Sequence, residues 1–342
     1  MLEKAEFPSR VDKGFTRRSS GGFTIIELLT VMSIIIILMG VLVPALSKVR
    51  RYAKVVTQKG QFHEISKAIE LFRNDHSDTY PDSGASDNDP AGPYGYCGAM
   101  KMCEALLGQD GMGFHPASRF YASGIGTSPT TGLDTDLYPL DLCTSTDPGA
   151  YSGASPTNPT LAANIQERTK YIDVENIKAT RLQDLYINWS VTGGVSFYNS
   201  VAFQATTDTY PFAFPNAVIC DVFQRTISRC NGAKLGMPVL YYKADPSKMV
   251  HDVNTVPAIS TPNPNIYNFD DNYAITALGC PWESVQTTAH PMFTDKRIFL
   301  KEITNTRITT TPRPHNEDGY ILLSAGYDNL YGTKDDVFNF TD

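Results

Sequence analysis

The chain has 342 residues, with 29 Lys and Arg against 36 Asp and Glu and a formal charge of −7. That length is enough for a sizeable core, as one large domain or two smaller ones. The acidic balance argues against nucleic acid as the main partner, because phosphate binding needs a basic face.

Residues 1–22 are basic, with Lys4, Arg10, Lys13, Arg17 and Arg18 against Glu3, Glu6 and Asp12, so the chain without them stands at −9. From Phe23 to Leu46 only Glu27 is formally charged. The run exceeds the roughly 20 apolar residues that a helix needs to cross a bilayer, and it reads as a membrane span. A carboxylate in such a span costs about 2.5–3.5 kcal/mol at mid-bilayer and less near an edge, so a partner cation is expected. A cut between Gly22 and Phe23 would supply one, since the new amine at Phe23 lies one helical turn from Glu27. Two plainer readings stand beside this one. Val43-Pro44-Ala45 fits a small-x-small signal-peptidase site, although the apolar run is longer than the roughly 7–15 residues of a signal peptide. An uncleaved signal anchor would explain the hydrophobicity but leave Glu27 without a partner. Lys and Arg flank both ends of the span, so charge alone does not orient it.

The order charged leader, Gly22, Phe23, Glu27 and a span carrying Pro44 resembles the type IV pilins and type II secretion pseudopilins. The resemblance is specific over residues 17–46, looser over 47–81 and faint beyond until the last thirty residues. It implies cleavage after Gly22 by an inner-membrane prepilin peptidase and methylation of the amine of Phe23. It further implies neutralisation of that amine by Glu27 of a neighbouring subunit during filament assembly. The implied partners are copies of the chain, other pseudopilins, the inner-membrane assembly platform and, before assembly, membrane lipid. The implied location is the inner membrane, single-pass, with the C-terminal domain in the periplasm.

Beyond the span, Val55, Val56, Phe62, Ile65, Ile69 and Phe72 recur at threes and fours, with Lys54, Lys59, Glu64, Lys67, Glu70 and Arg73 off the stripe. This predicts one continuous helix, apolar all round in its first half and amphipathic in its second, with a kink or local melting at Pro44. It should end by Asp78-Thr79-Tyr80-Pro81, because the residue before a proline is pushed from the α region. Residues 82–98 read as a loop, Ala99–Leu107 as a short helix stopped by Gly108, and 123–160 as a loop-like surface insertion. Strands are expected at Val195–Phe203, Ala217–Phe223, Pro238–Tyr242 and Tyr320–Ser324, the last after a hairpin-type turn at Glu317-Asp318-Gly319. The fold class is therefore α+β, a long N-terminal helix on an antiparallel sheet. The divisions are a leader 1–22, a membrane half 23–46, an amphipathic half 47–81, an enlarged globular region 82–310 of unassigned role and a C-terminal hairpin with loop 311–342.

The tail from Ser324 to Asp336 gathers Asp328, Asn329, Asp335 and Asp336 around Gly326 and Gly332. Calcium takes six to eight oxygens from carboxylates, amides and carbonyls, and glycines let a loop fold tightly enough to present them. The spacing is not that of an EF-hand. It resembles the calcium loop near the C-terminus of major pseudopilins, which implies Asp328, Asp335 and Asp336 as side-chain ligands, with Asn329 or a carbonyl near Leu330 completing the shell. The alternative is an acidic, solvated hairpin using Asp and Gly as turn formers. Asp134, Asp136 and Asp141, and Asp270-Asp271-Asn272, are weaker cation candidates. Six cysteines, Cys97, Cys103, Cys143, Cys220, Cys230 and Cys280, all lie beyond the span, so a periplasmic location would permit disulfides; reduced, buried thiols are equally compatible. No HExxH, GxSxG, Walker or GxGxxG pattern occurs and the six histidines are scattered, so no enzyme is expected. The reading is a structural pseudopilin of a type II secretion filament. The alternative is a minor pilin or surface adhesin whose middle region binds a ligand or exported substrate.

Overall fold

The computed structural model describes residues 22–85, 95–127, 134–138, 166–173, 177–186, 191–192, 195–196, 217–227, 232–254, 263–282 and 288–340. The chain divides into two compact units, the first ending at Arg50 and the second running from Arg51. Helix α1, Ile25–Asp75, carries the boundary within it and is helical through Pro44, so the expected local melting there is not found.

Within the second unit, the amphipathic half of α1 buries Gln58, Phe62, Ile65, Ala68, Ile69 and Phe72. These follow the three-and-four spacing of one helix face. Burying the four large apolar side chains contributes roughly 6–12 kcal/mol, an upper figure set against an extended unfolded chain. Two glutamines on this half make ties that periodicity does not reveal. Gln58 Oε1 accepts from Val222 N at 2.9 Å, and Gln61 Nε2 donates to Cys220 O at 2.9 Å. The helix ends at Asp75, before the expected limit, because Ser77 and Asp78 turn left-handed at φ 52° and 61°. Arg73 fastens that end by donating to Asp78 Oδ1, Glu70 Oε2 and the Tyr80 hydroxyl.

The remaining elements, in chain order, are α2 Gly98–Leu107, β1 Ile125–Thr127, β2 Asp134–Asp136, β3 Lys178–Arg181, α3 Leu182–Leu185, β4 Val191–Thr192, β5 Val195–Ser196, β6 Ala217–Cys220, β7 Arg225–Thr226, β8 Lys234–Leu235 and β9 Leu240–Lys243. A 3₁₀ turn at Phe269–Asn272 leads into α4 Tyr273–Thr276, then α5 Pro291–Thr294, α6 Arg297–Glu302, β10 Tyr320–Ser324 and β11 Val337–Phe338. Helix α2 matches its predicted span and stops at Gly108. Every residue of α2 is buried, which a short amphipathic helix would not show. Its first residue admits no side chain, since a Cβ on Gly98 would sit 2.3 Å from Tyr241 O. Asn272 locks this contact, accepting from Ala99 N at 2.9 Å and donating to Tyr241 O at 2.7 Å.

The central sheet has the order β11-β10-β9, all antiparallel. Tyr320 pairs with Lys243 and Leu323 with Leu240, while Ser324 pairs with Val337. Alternation along β10 sends Tyr320 and Leu322 into one core with Phe62, Ile65 and Ile69 of α1, and Ile321 and Leu323 into another with Met292, Phe299 and Leu300 of α5 and α6. Both faces of the strand are thus covered by helices, which accounts for the unbroken burial of Tyr320–Ser324. The fold is α+β, as the element order implied.

Several local expectations are corrected. Glu317–Gly319 does form a turn, with Gly319 N donating to Asn316 O, but no strand precedes it; β10 instead pairs with β9, far back in the chain. Residues 125–127 and 134–136 form a two-stranded ladder within the stretch read as loop. Of the strand expected at Val195–Phe203, Val195–Ser196 pair with Val191–Thr192, and the rest lies outside the described residues, as do Asp141, Cys143 and Cys230. Cys97, Cys103 and Cys220 are buried thiols, and Cys280 is buried too.

Candidate functional sites at the two ends of the chain

At the start of the first unit, Gly22 and Phe23 precede the helix and are exposed. Glu27 is bonded within its own chain. Its Oε2 accepts from Thr24 N at 2.8 Å and from Thr24 Oγ1 at 2.7 Å, while Thr24 Oγ1 accepts from Glu27 N at 3.3 Å. This is a reciprocal capping box, in which the threonine and the glutamate each satisfy a backbone donor that a helix start leaves open. The Thr24-x-x-Glu27 spacing signals it in the sequence, so Glu27 has a partner in its own chain whether or not a cut after Gly22 supplies an amine. Further along, Thr30 Oγ1 and Ser33 Oγ donate to the carbonyls of Glu27 and Thr30, so these hydroxyls add no unpaired donor to the apolar run. Phe23, Ile25, Ile26, Leu28, Leu29 and the large apolar side chains after them as far as Leu46 are all exposed, and α1 is long and apolar enough to cross a membrane.

At the other end, the loop between β10 and β11 holds all five residues of the tail motif. The chain crosses itself at Gly326, where φ is 65° and a Cβ would meet Asp335 O at 2.0 Å. Asp335 Oδ2 accepts from Asp328 N at 2.8 Å and its Oδ1 from Thr333 Oγ1 at 2.7 Å. Asp328 Oδ1 accepts from Leu330 N, and Asp336 Oδ2 from Gly332 N at 2.7 Å. Asn329, left-handed at φ 64°, faces away from these carboxylates: its Oδ1 accepts from Arg225 Nε at 2.6 Å and its Nδ2 donates to Phe223 O. The Arg225 guanidinium also lies over the Trp282 ring. His290 anchors the far side, its Nδ1 accepting from Tyr331 N and its Nε2 donating to Gly279 O.

The electrostatics of the loop are those of crowded acids. Burial, and then the charges of Glu302, Asp328 and Asp335, push the Asp336 carboxyl up to about 9. Burial also raises Asp328; Asp335 would be raised likewise, but the Thr333 hydroxyl and the Asp328 amide bring it below the ordinary range. Asp336 Oδ1 is buried with no hydrogen-bond partner. Such an orphaned oxygen among three mutually repelling carboxylates fits the chemistry of a hard cation. Among the described residues no three His, Cys, Asp or Glu side chains already converge as metal ligands, so a cation would have to draw in carboxylates that now face backbone N–H groups. Asn329 has its oxygen committed to Arg225, which leaves the carbonyl of Leu330 as the neutral donor at that position.

Of the other acidic candidates, Asp270 pairs with Lys296 and Asp271 accepts from Ser83 Oγ, while the backbone of Asp134 and Asp136 lies on β2. Asp221, which no motif flagged, is fully buried and holds three donors: Phe223 N and Met237 N on Oδ1, and Ser324 Oγ at 2.7 Å on Oδ2. Burial outweighs those bonds and lifts its carboxyl to about 7.

The class defined by these features is an α+β protein with a long apolar N-terminal helix whose amphipathic half packs on a small antiparallel sheet. Comparison with protein-family models, with curated proteins and with solved structures finds no match.

Proposed function

We propose that the chain is a prepilin-type filament subunit, a pseudopilin of a type II secretion system. It is cut after Gly22, methylated at Phe23 and held in the inner membrane by Phe23–Leu46 with its sheet domain in the periplasm. The observation that carries the reading is an apolar helix start, fully exposed in the single chain and interrupted by one carboxylate at Glu27. Such a surface needs lipid before assembly and the same surface of neighbouring subunits afterwards. The capping box supports a two-stage role for Glu27. Thr24 satisfies the carboxylate while the subunit waits in the bilayer, and the methylated amine of a neighbour replaces or joins that bond in the filament. At the other end, calcium would bind Asp328, Asp335, Asp336 and the Leu330 carbonyl, and the charge it supplies would relieve their repulsion.

N-terminal mass analysis of the membrane-extracted protein tests this. A methylated start at Phe23, with Gly22→Val retaining the leader, is the expected result. An intact leader in the unaltered chain, or a start after Ala45, refutes it.

A further inference from the structure

Between Glu27 and Glu64 the chain carries no acid, and Lys48, Arg50, Arg51, Lys54 and Lys59 all fall in this stretch. Among the described residues none of the five forms an ion pair, although the chain as a whole is acidic. Arg51 comes five residues after Leu46 and Lys54 eight, about 7 and 12 Å along a helix that rises about 1.5 Å per residue. The headgroup layer lies about 5–8 Å beyond the hydrocarbon of a bilayer, and helical side chains lean back toward the N-terminus, so both cations come at the depth of lipid phosphates.

The C-terminal loop meets α1 at these two residues. Tyr327, exposed just after the crossing at Gly326, has Arg51 Cζ 4.3 Å and Lys54 Nζ 5.7 Å from its ring centroid. Stacking on a ring face orders a guanidinium and leaves its in-plane N–H groups free to grip an oxyanion. The carboxylates of the loop are turned inward instead: Asp328 Oδ1 accepts from Leu330 N, and Asp335 accepts from Asp328 N and Thr333 Oγ1. Tyrosine and basic side chains are also the residues that membrane interfaces favour.

We propose that Arg51 and Lys54, ordered by Tyr327, bind the phosphate of an anionic phospholipid headgroup and so seat the sheet domain on the membrane surface. The proposal rests on the reading of Phe23–Leu46 as a membrane span, and not on cleavage, filament assembly or calcium.

The full chain is reconstituted in phosphatidylcholine vesicles carrying a trace of spin-labelled phosphatidylglycerol or spin-labelled phosphatidylcholine. The motionally restricted fraction of each label gives its relative association with the protein. Wild type is expected to favour phosphatidylglycerol roughly threefold or more, with the preference weakened by high salt. The double variant Arg51→Gln/Lys54→Gln, and Tyr327→Ala, should lose most of that preference, whereas Tyr327→Phe should keep it. Removing the same charge at two exposed residues elsewhere, Lys234→Gln/Lys301→Gln, should leave it intact. Equal restriction of both labels by wild type, or a preference that survives the Arg51 and Lys54 changes, overturns the headgroup site while the span stands. A preference abolished by excess inorganic phosphate would make this a free-anion site, and one present only at high copy number per vesicle would belong to an assembly of chains; either result overturns the proposal. A chain that restricts neither label is not in the bilayer, and then the span reading and the headgroup site fall together.

Discussion

Replacing Gly326 by Ala tests whether the tail is held closed by the crossing at Asp335. Two costs follow from the geometry. An L-residue at φ 65° loses about 1–2 kcal/mol relative to glycine. The new Cβ, built 2.0 Å from a backbone oxygen, cannot be accommodated by a side-chain rotation, so the loop must part there. Parting removes the bond from Asp328 N to Asp335 Oδ2, which as a hydrogen bond to a charged group is worth about 1.5–3 kcal/mol. The sum, about 2.5–5 kcal/mol, corresponds to roughly 5–20 °C in Tm for a domain of a few hundred residues. Gly60→Ala is the matched control. Nothing lies within 4 Å of a Cβ at that exposed helical position, so relief of the glycine penalty should stabilise the chain by about 1 kcal/mol. Thermal melts of both variants of the full chain in micelles, read by circular dichroism in chelator, are the assay. A Gly326→Ala chain as stable as wild type would refute the crossing as a structural constraint.

Two further outcomes are expected. Glu27→Val should be processed and inserted but recovered poorly in filaments, whereas Thr24→Ala should assemble with lower yield and Thr24→Ser should restore it; cross-linking of assembled subunits measures both, and normal incorporation of Glu27→Val contradicts the ion-pair account. For pH, Asp221 has its folded carboxyl near 7 against about 3.9 in an unfolded chain, so the fold holds the proton more tightly. The corresponding stability is present below about pH 4 and is lost as pH rises through 7. Asp271, also lifted to about 7 by burial, acts in the same direction, so Asp221→Asn should flatten the decline only in part. Denaturant midpoints of wild type and variant at pH 5 and pH 8 check this, and parallel pH dependences would refute it.

The N-terminal half of α1, its amphipathic continuation, α2 with its Gly108 stop and the strand Tyr320–Ser324 were legible in the sequence because each depends on local pattern: unbroken apolarity, a three-and-four stripe, a glycine stop and β-branched or aromatic runs. The Thr24–Glu27 box was equally local and could have been read from its spacing. Tertiary structure decided what depends on residues far apart in the chain. That β10 takes β9 as its neighbour, that α2 is buried on every side and that Asn272 bridges Ala99 to Tyr241 all follow from packing across long sequence separations. No short-range period encodes these contacts. The tail shows the division most clearly. Composition alone gathers Asp328, Asp335 and Asp336, because acids and glycines within a dozen residues must share a loop. The fold turns Asn329 away toward Arg225 and leaves Asp336 Oδ1 buried without a hydrogen-bond partner, and these are relations that exist only once the loop is packed against the rest of the domain.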